Sequence, residues 1–248
     1  METIKLKING IEVTAPKGST ILEAARLAHI EIPTLCFLKE INEIGACRVC
    51  IVELKNGKLV TSCVYPAEDG MEVFTNTPKV MDSRKKTIQL LLSNHNRSCL
   101  SCVRSGHCEL QELARELGVE DEGYYDGETT PSEIDTSAAH MIRDNSKCIL
   151  CRRCVAVCSE VQGIGVIGAN NRGFATEIGS AFGMGLGETS CVSCGQCIAV
   201  CPTGALQEKD CTSEVFAAIA DPSKHVIVQT APAVRAALGE EFGLPIGT

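Results

Sequence analysis

The chain has 248 residues, a formal net charge of −8 at pH 7 and 16 cysteines, but no tryptophan and only 4% aromatic residues. The acidic balance argues against nucleic acid as a partner, because phosphate binding requires a basic surface. No stretch reaches the roughly 18 apolar residues of a membrane helix, and the first residues form no apolar signal segment. We therefore expect a cytoplasmic protein whose thiols hold cofactors rather than disulfides.

The amino-terminal stretch predicts a small sheet followed by a helix. Residues 3–14 alternate apolar and polar side chains around an Asn-Gly pair, which is typical of a tight hairpin. Thr20 and Glu23 form a capping box that predicts a helix to about His29. A hairpin, a helix and then a cysteine-rich loop are typical of a β-grasp domain, which we place at residues 1–77.

The first cysteine motif is Cys36-x10-Cys47-x2-Cys50-x12-Cys63. Four thiolates suffice for a [2Fe–2S] cluster, although the spacing differs from that of plant-type ferredoxins. A neighbouring Gly-Ala pair would let the backbone approach the sulfurs closely. A zinc site or unrelated buried cysteines are the alternatives, and the spacing favours the cluster.

A second helix is predicted after Thr77, with Pro78 at its first position. Its apolar positions at helical spacing, which we expect to pack inward, are Val80, Thr87, Ile88 and Leu91. The helix leads into His95-x3-Cys99-x2-Cys102-x5-Cys108, followed by a short helix from Glu109 to Leu117 that stops at Gly118. Taken alone, three cysteines and one histidine indicate zinc. His107 adjoins Cys108, so both side chains could hardly reach one metal, and we assign it no role.

This second motif lies in a predicted unit at residues 78–122, and a linker is predicted at 123–143. Residues 119–135 are acidic and rich in glycine, threonine and proline, which is typical of a surface loop. His140, near the end of this stretch, is interpreted as a surface or core residue rather than a ligand.

The third motif occurs twice in the sequence, as Cys148-x2-Cys151-x2-Cys154-x3-Cys158 and as Cys191-x2-Cys194-x2-Cys197-x3-Cys201-Pro202. In such a double run, three thiolates wrap one [4Fe–4S] cube and the fourth, expected at the start of the following helix, ligates the other. Zinc ribbons instead use two separated CxxC pairs. The predicted ligand sets are Cys148, Cys151, Cys154 and Cys201 for one cluster, and Cys158, Cys191, Cys194 and Cys197 for the other.

The double run defines a predicted ferredoxin-like unit at residues 144–210. Ser159 follows Cys158 where the second run has Pro202, a change that removes no ligand. We predict a hairpin at residues 164–182 between the two runs. A GxGxxG match at 163–168 lacks a surrounding strand–helix unit and predicts no nucleotide site. Cys211 is left over and is interpreted as a free thiol.

The order of these motifs resembles the amino-terminal accessory region of iron-only ([FeFe]) hydrogenases, especially the large subunit of the NAD-dependent, electron-bifurcating type. It is also similar to the front of the large iron–sulfur subunit of respiratory complex I. The resemblance implies an α+β chain with one [2Fe–2S] cluster and three [4Fe–4S] clusters, and it implies that the motif from His95 to Cys108 holds a His-ligated [4Fe–4S] cluster. The residues at 211–248 resemble the start of the hydrogenase catalytic domain.

No cysteine follows Cys211, so we expect this chain to hold no hydrogen-activating cluster and to have no catalytic residues of its own. The resemblance implies an electron-transfer subunit that exchanges electrons with a flavin- and NAD(H)-binding iron–sulfur partner, a small thioredoxin-like [2Fe–2S] subunit, and ferredoxin. FMN and NAD(H) would be held by the partner. We expect a natural subunit; the alternatives are the first part of a longer hydrogenase and a structural zinc protein.

Overall fold

The computed structural model describes residues 2–120, 127–130 and 132–245. The described residues divide into two compact units, one ending at Lys209 and the other beginning at Asp210. The first part of the expected linker, residues 123–126, lies outside the described residues, as does Pro131.

The amino-terminal part of the first unit is a five-stranded sheet with one helix. Its elements are β1 (Thr3–Ile8), β2 (Ile11–Pro16), α1 (Ile21–Leu27), β3 (Ile51–Leu54), β4 (Leu59–Thr61) and β5 (Glu72–Phe74). The strand order is β2-β1-β5-β3-β4, and β1 pairs parallel with the last strand β5. This arrangement of a hairpin, a helix and a returning central strand matches the expected β-grasp domain.

Local signals in the sequence explain why these elements form. The hairpin turn holds Asn9 at φ 51° and Gly10 at φ +82°, the left-handed pair that a tight two-residue turn requires. The capping box of Thr20 and Glu23 is confirmed, with both reciprocal hydrogen bonds present. The helix ends at Leu27, before the predicted end at His29, because His29 itself takes a left-handed conformation at φ 55°.

Two further helices lie between the sheet and the double cysteine run: α2 (Pro78–Ser93) and α3 (Glu109–Glu116). The hydroxyl of Thr77 accepts a hydrogen bond from the Val80 amide, which confirms the predicted cap. Val80 and Ile88 are fully buried on one face, as predicted, and Arg84 is buried on the same face, which the apolar pattern did not indicate. Gly118 follows α3 at φ +59°, the conformation favoured after a helix end.

The remainder of the first unit contains short strands and two one-turn helices. They are β6 (Ile134–Asp135), β7 (Met141–Asp144), α4 (Arg153–Ala156), β8 (Gly168–Asn170), β9 (Glu177–Gly179), α5 (Gln196–Ala199) and β10 (Leu206–Glu208). Strands β10, β7 and β6 form an antiparallel sheet, and β8 pairs with β9 as the predicted inserted hairpin. The expected linker at 123–143 therefore includes strand residues, because buried Met141 and the Arg143–Asp135 ion pair tie that stretch to the sheet.

The fourth cysteines of the double run do not open helices, contrary to the expectation. Cys154 and Cys197, the third cysteines, lie within α4 and α5. Cys158 lies in a π-helical turn, Val157–Val161, directly after α4, and Cys201 follows the end of α5. These helices begin earlier than expected because left-handed residues, Arg152 and Gly195, stand at their N-caps, which the cysteine spacing alone does not indicate.

The second unit contains α6 (Thr212–Ala220) and α7 (Pro232–Glu241), and Cys211 is the N-cap residue of α6. Proline again occupies the first position of a helix, at Pro232. Of the helices that the structure describes, none is both long enough and apolar enough to cross a membrane.

Candidate metal centres

The four cysteines of the first motif are all buried and their sulfurs converge. The Sγ atoms of Cys50 and Cys63 lie 3.3 Å apart. The neighbouring thiols, Cys47 first and then Cys63, lower the pKa of Cys36, and the Cys63 thiol lowers the pKa of Cys50. The Cys36 thiol is in turn the main cause of the raised pKa values of Cys47 and Cys63. Four buried thiols that affect one another's protonation in this way are suited to bind a cationic iron core.

The first cavity of the double run collects three cysteines from one motif and one from the other. Cys148, Cys151, Cys154 and Cys201 line a single cavity of about 370 Å³. Burial raises the pKa of Cys148 to about 11 and that of Cys151 to about 12, so the thiolates need compensating positive charge. Bound iron supplies such charge and displaces the protons, and four thiols around one cavity fit a [4Fe–4S] cluster.

The second cavity collects the remaining four cysteines of the run. Cys158, Cys191, Cys194 and Cys197 line a cavity of about 390 Å³. Burial raises the pKa of Cys197 to about 11, whereas Cys194 is exposed. This centre is therefore closer to solvent than the first, in which Cys151 and Cys154 are buried.

His140 also lines the second cavity, which the sequence analysis missed. Its Nε2 atom lies 4.0 Å from Cys191 Sγ, and its Nδ1 atom lies 3.0 Å from Ser193 Oγ. The His140 carbonyl accepts the Lys209 amide, which holds the residue at the start of β7. Fifty-one positions separate His140 from Cys191, and no spacing pattern in the chain links them.

The motif of His95, Cys99, Cys102 and Cys108 lies between the amino-terminal sheet and the double cysteine run. Cys99 and Cys102 are close enough to Cys108 to raise its pKa further, after the larger effect of burial. His95 lies just beyond α2, and its Nδ1 atom is buried without a hydrogen-bond partner. Burial first, and then Lys147, lower the pKa of His95 to about 4, so its ring is neutral at pH 7, the form that binds metals. Within the described residues, no hydrogen bond joins this ring to the three thiols, nor do three His, Cys, Asp or Glu side chains form a site for a single metal ion.

A buried asparagine connects the first motif to the first cavity of the double run. Asn42 is 3% exposed, and its Nδ2 group donates to the Cys36 carbonyl at 2.7 Å and to the Cys151 carbonyl at 3.0 Å. Cys36, Cys47 and Cys151 also belong to one hydrophobic cluster, which includes buried residues of α2 and α3. The two sites therefore border one shared hydrophobic cluster.

The His95 motif also packs against the first cavity of the double run. The Asn96 amide donates to the Ser146 carbonyl at 2.8 Å, and the Glu109 amide donates to the Pro202 carbonyl at 3.1 Å. A Cβ atom at Gly204 would lie 2.5 Å from Cys102 Sγ, so glycine is required for this close approach. The cavity of Cys148 and Cys201 is consequently adjacent to the first motif and to the His95 motif. Cys197 of the second cavity is also close enough to Cys154 to raise its pKa, after the larger effects of burial and of the cysteines that share the cavity with Cys154.

Three family models match successive parts of the chain. A 2Fe-2S iron-sulfur cluster binding domain matches residues 1–78, and the NADH-ubiquinone oxidoreductase-G iron-sulfur binding region matches residues 84–122. A 4Fe-4S dicluster domain matches residues 147–205. The chain thus contains one 2Fe–2S binding region and additional regions for 4Fe–4S clusters.

Similar curated proteins are considerably longer than this chain. The NADP-reducing hydrogenase subunit HndD of Solidesulfovibrio fructosivorans is 48% identical over 100% of this chain and 43% of its own length. Iron hydrogenase 1 of Clostridium pasteurianum is 37% identical over 97% of this chain and 42% of its own length. The NADH-ubiquinone oxidoreductase 75 kDa subunit of Reclinomonas americana is 37% identical over 71% of this chain and 25% of its own length. The chain spans less than half of each relative.

A solved structure matches the chain over most of both lengths. It is a chain in the crystal structure of an NAD+-reducing [NiFe]-hydrogenase in the H2-reduced state, with a TM-score of 0.77 and 31% sequence identity. The match covers 83% of this chain and 87% of that one. The resemblance inferred from the cysteine motifs is confirmed: the chain belongs to the iron–sulfur family found in iron-only hydrogenases and in the large iron–sulfur subunit of NADH dehydrogenases.

Proposed function

We propose that the chain relays single electrons between a flavin- and NAD(H)-binding partner subunit and ferredoxin or another carrier. The observation that carries this proposal is the convergence of three cysteine sites on the cavity of Cys148, Cys151, Cys154 and Cys201, which we name the central site. A relay needs closely spaced centres with little solvent between them, and the contacts and the shared hydrophobic cluster around the central site support this arrangement.

The proposed ligands follow the sets predicted from the motifs. Four-thiol convergence supports a [2Fe–2S] cluster in the first motif, and the two cavities support a crossed pair of [4Fe–4S] clusters in the double run. The sets are Cys36, Cys47, Cys50 and Cys63; Cys148, Cys151, Cys154 and Cys201; and Cys158, Cys191, Cys194 and Cys197. The units proposed to carry the sites are residues 1–77, 78–122 and 144–210.

A His-ligated [4Fe–4S] cluster is proposed for His95, Cys99, Cys102 and Cys108. The unpartnered, buried Nδ1 atom of His95 and its neutral ring support this assignment. A neutral imidazole in place of a thiolate leaves the bound group less negative, a change that raises the reduction potential of iron–sulfur centres.

Bound in these sites, each cluster would supply one-electron redox chemistry. The chain's own residues bury Cys151 and Cys154 at the central site and hold its loops in register with those of the neighbouring sites. The site of Cys194 has an exposed ligand, so we assign it the exchange of electrons with another protein. The exposed Val192 beside Cys194 would allow an apolar contact there.

FMN and NAD(H) are assigned to a partner subunit, with a small thioredoxin-like [2Fe–2S] subunit and ferredoxin as further partners. The names of the relatives support a nicotinamide-linked complex, since they include an NADP-reducing hydrogenase subunit and an NADPH-Fe(3+) oxidoreductase subunit alpha. The GxGxxG match contributes Gly168 to the start of β8 within the inserted hairpin and does not open a helix. We propose a cytoplasmic location for this complex.

The proposal that this chain relays electrons while a partner subunit oxidises the nicotinamide can be tested with the anaerobically prepared, cluster-loaded chain. Dithionite should bleach its visible absorption, whereas NADH or NADPH alone should not, because the proposed flavin site is on the partner. Addition of the purified flavin subunit should restore reduction by the nicotinamide. Rapid bleaching by NADH or NADPH without that subunit would contradict the proposal, and the dithionite reaction serves as the control for cluster loading.

A second candidate is the electron-relay part of an NAD-dependent iron-only hydrogenase. The 48% identity to HndD over the full chain favours it. Intact mass and hydrogen evolution of the protein isolated from its native source distinguish the two candidates. A native polypeptide of hydrogenase length that evolves hydrogen would select the second candidate, and a short, inactive one would select the first.

A further inference from the structure

A buried arginine adjoins the first cysteine motif. Arg84 lies on the face of α2 that packs against β3 and is 5% exposed. Its Nη2 group donates to the Ile51 carbonyl at 2.7 Å, next to Cys50 in sequence. Its Nε atom is buried without a hydrogen-bond partner, and no ion pair to Arg84 is present among the described residues.

An isolated buried cation is costly because it loses its hydration without gaining a counter-charge. Burial lowers the pKa of Arg84 to about 10, and the negative thiolate of Cys50 opposes that shift. The guanidinium therefore keeps its charge at neutral pH.

A second buried arginine, Arg153, has a carboxylate partner and serves as a comparison. Arg153 contacts Glu109 through two hydrogen bonds, at 2.7 Å from Nη1 and 3.0 Å from Nη2. Its charge is therefore balanced by a carboxylate of the protein. Within the part of the chain that the structure describes, Arg84 has no such carboxylate, so a negative group bound in the neighbouring site would supply its counter-charge.

The cofactor of the first motif has the required charge. A [2Fe–2S] cluster held by four thiolates is a dianion when oxidised, and reduction adds a further negative charge. A fixed cation beside the site attracts the reduced form more strongly than the oxidised form, and the low local dielectric strengthens this attraction.

We propose that Arg84 is the buried counter-cation of the [2Fe–2S] cluster and raises its reduction potential. Arg84 acts through its charge and binds no iron. This role rests on the proposed ligand set Cys36, Cys47, Cys50 and Cys63.

The test compares three variants of Arg84 with a matched control on the same helix. Arg84→Gln and Arg84→Met remove the charge, Arg84→Lys retains it, and Lys85→Met removes an equal charge from an exposed neighbour. The midpoint potential of each cluster is measured in the full, loaded chain by EPR-monitored titration. Arg84→Gln and Arg84→Met should make [2Fe–2S] reduction about tenfold less favourable, a fall of about 59 mV.

The [2Fe–2S] midpoint potentials of Arg84→Lys and Lys85→Met should stay close to that of the wild-type chain. The [4Fe–4S] midpoint potentials should be unchanged in every variant. An unchanged [2Fe–2S] midpoint in Arg84→Gln, or an equal fall in Lys85→Met, would overturn the role of Arg84. If Arg84→Met fails to load, the difference between Arg84→Gln and Arg84→Lys decides, since both retain a polar group. Absence of a [2Fe–2S] signal from the wild-type chain would instead refute the ligand set, and with it the role of Arg84.

Discussion

Replacement of Cys201 with alanine is expected to remove the central [4Fe–4S] cluster, about four irons per chain, although Cys201 belongs to the second half of the double run. The reason is geometric, because Cys201 lines the same cavity as Cys148, Cys151 and Cys154. Iron analysis of the anaerobically reconstituted variant measures this loss.

Double variants test whether the fourth cysteine of each run binds the cluster of the other run. Cys201→Ala combined with Cys151→Ala should lose no more iron than Cys201→Ala alone, because both residues serve one cluster. The double variant of Cys201→Ala and Cys194→Ala should lose about eight irons, because a second cluster is removed. The opposite pattern, with the larger loss in the Cys151 combination, would show that each cysteine run holds its own cluster.

Replacement of Asn42 with alanine is expected to lower the free energy of unfolding of the loaded protein by about 2–3 kcal/mol. The Asn42 amide satisfies the carbonyls of Cys36 and Cys151, and alanine would leave both without this donor in a buried setting. Electron exchange between the first motif and the central site should also slow, because Asn42 holds their loops together. Anaerobic denaturation and rapid-mixing reduction measure the two effects.

Asn76→Ala is the matched control for this prediction. Asn76 is exposed, and its backbone is not left-handed, so alanine adopts the same conformation without strain. We expect a change within about 0.5 kcal/mol in this variant, as is usual for surface substitutions. Equal stabilities of Asn42→Ala and Asn76→Ala would show that the bridge between the two loops contributes little.

Features encoded by neighbouring residues were predictable from the sequence. The Asn-Gly hairpin, the Thr20 capping box and the Thr77-Pro78 helix start all depend on contacts within a few positions. The first three cysteines of each run in the double motif were also predictable as a group, because they lie within a few positions of one another and line one cavity. The grouping of Cys201 with the first run was predictable only through the chemistry of double iron–sulfur motifs.

Contacts between distant segments were not predictable in this way. Asn42 reaches the Cys151 carbonyl across 109 positions, and His140 reaches Cys191 across 51. Arg84 follows the helical period of Val80 and Ile88, but a charged residue at a buried position is normally assigned to the surface. The strands at 134–144 are too short for a periodic signal and form only because the third strand, Leu206–Glu208, returns beside them.

The most direct test of the four-cluster relay is the metal content of the anaerobically purified chain, combined with EPR of the dithionite-reduced protein. The account predicts about fourteen irons per chain, little zinc, one [2Fe–2S] signal and three interacting [4Fe–4S] signals. A colourless protein with nearly stoichiometric zinc and no iron would contradict it.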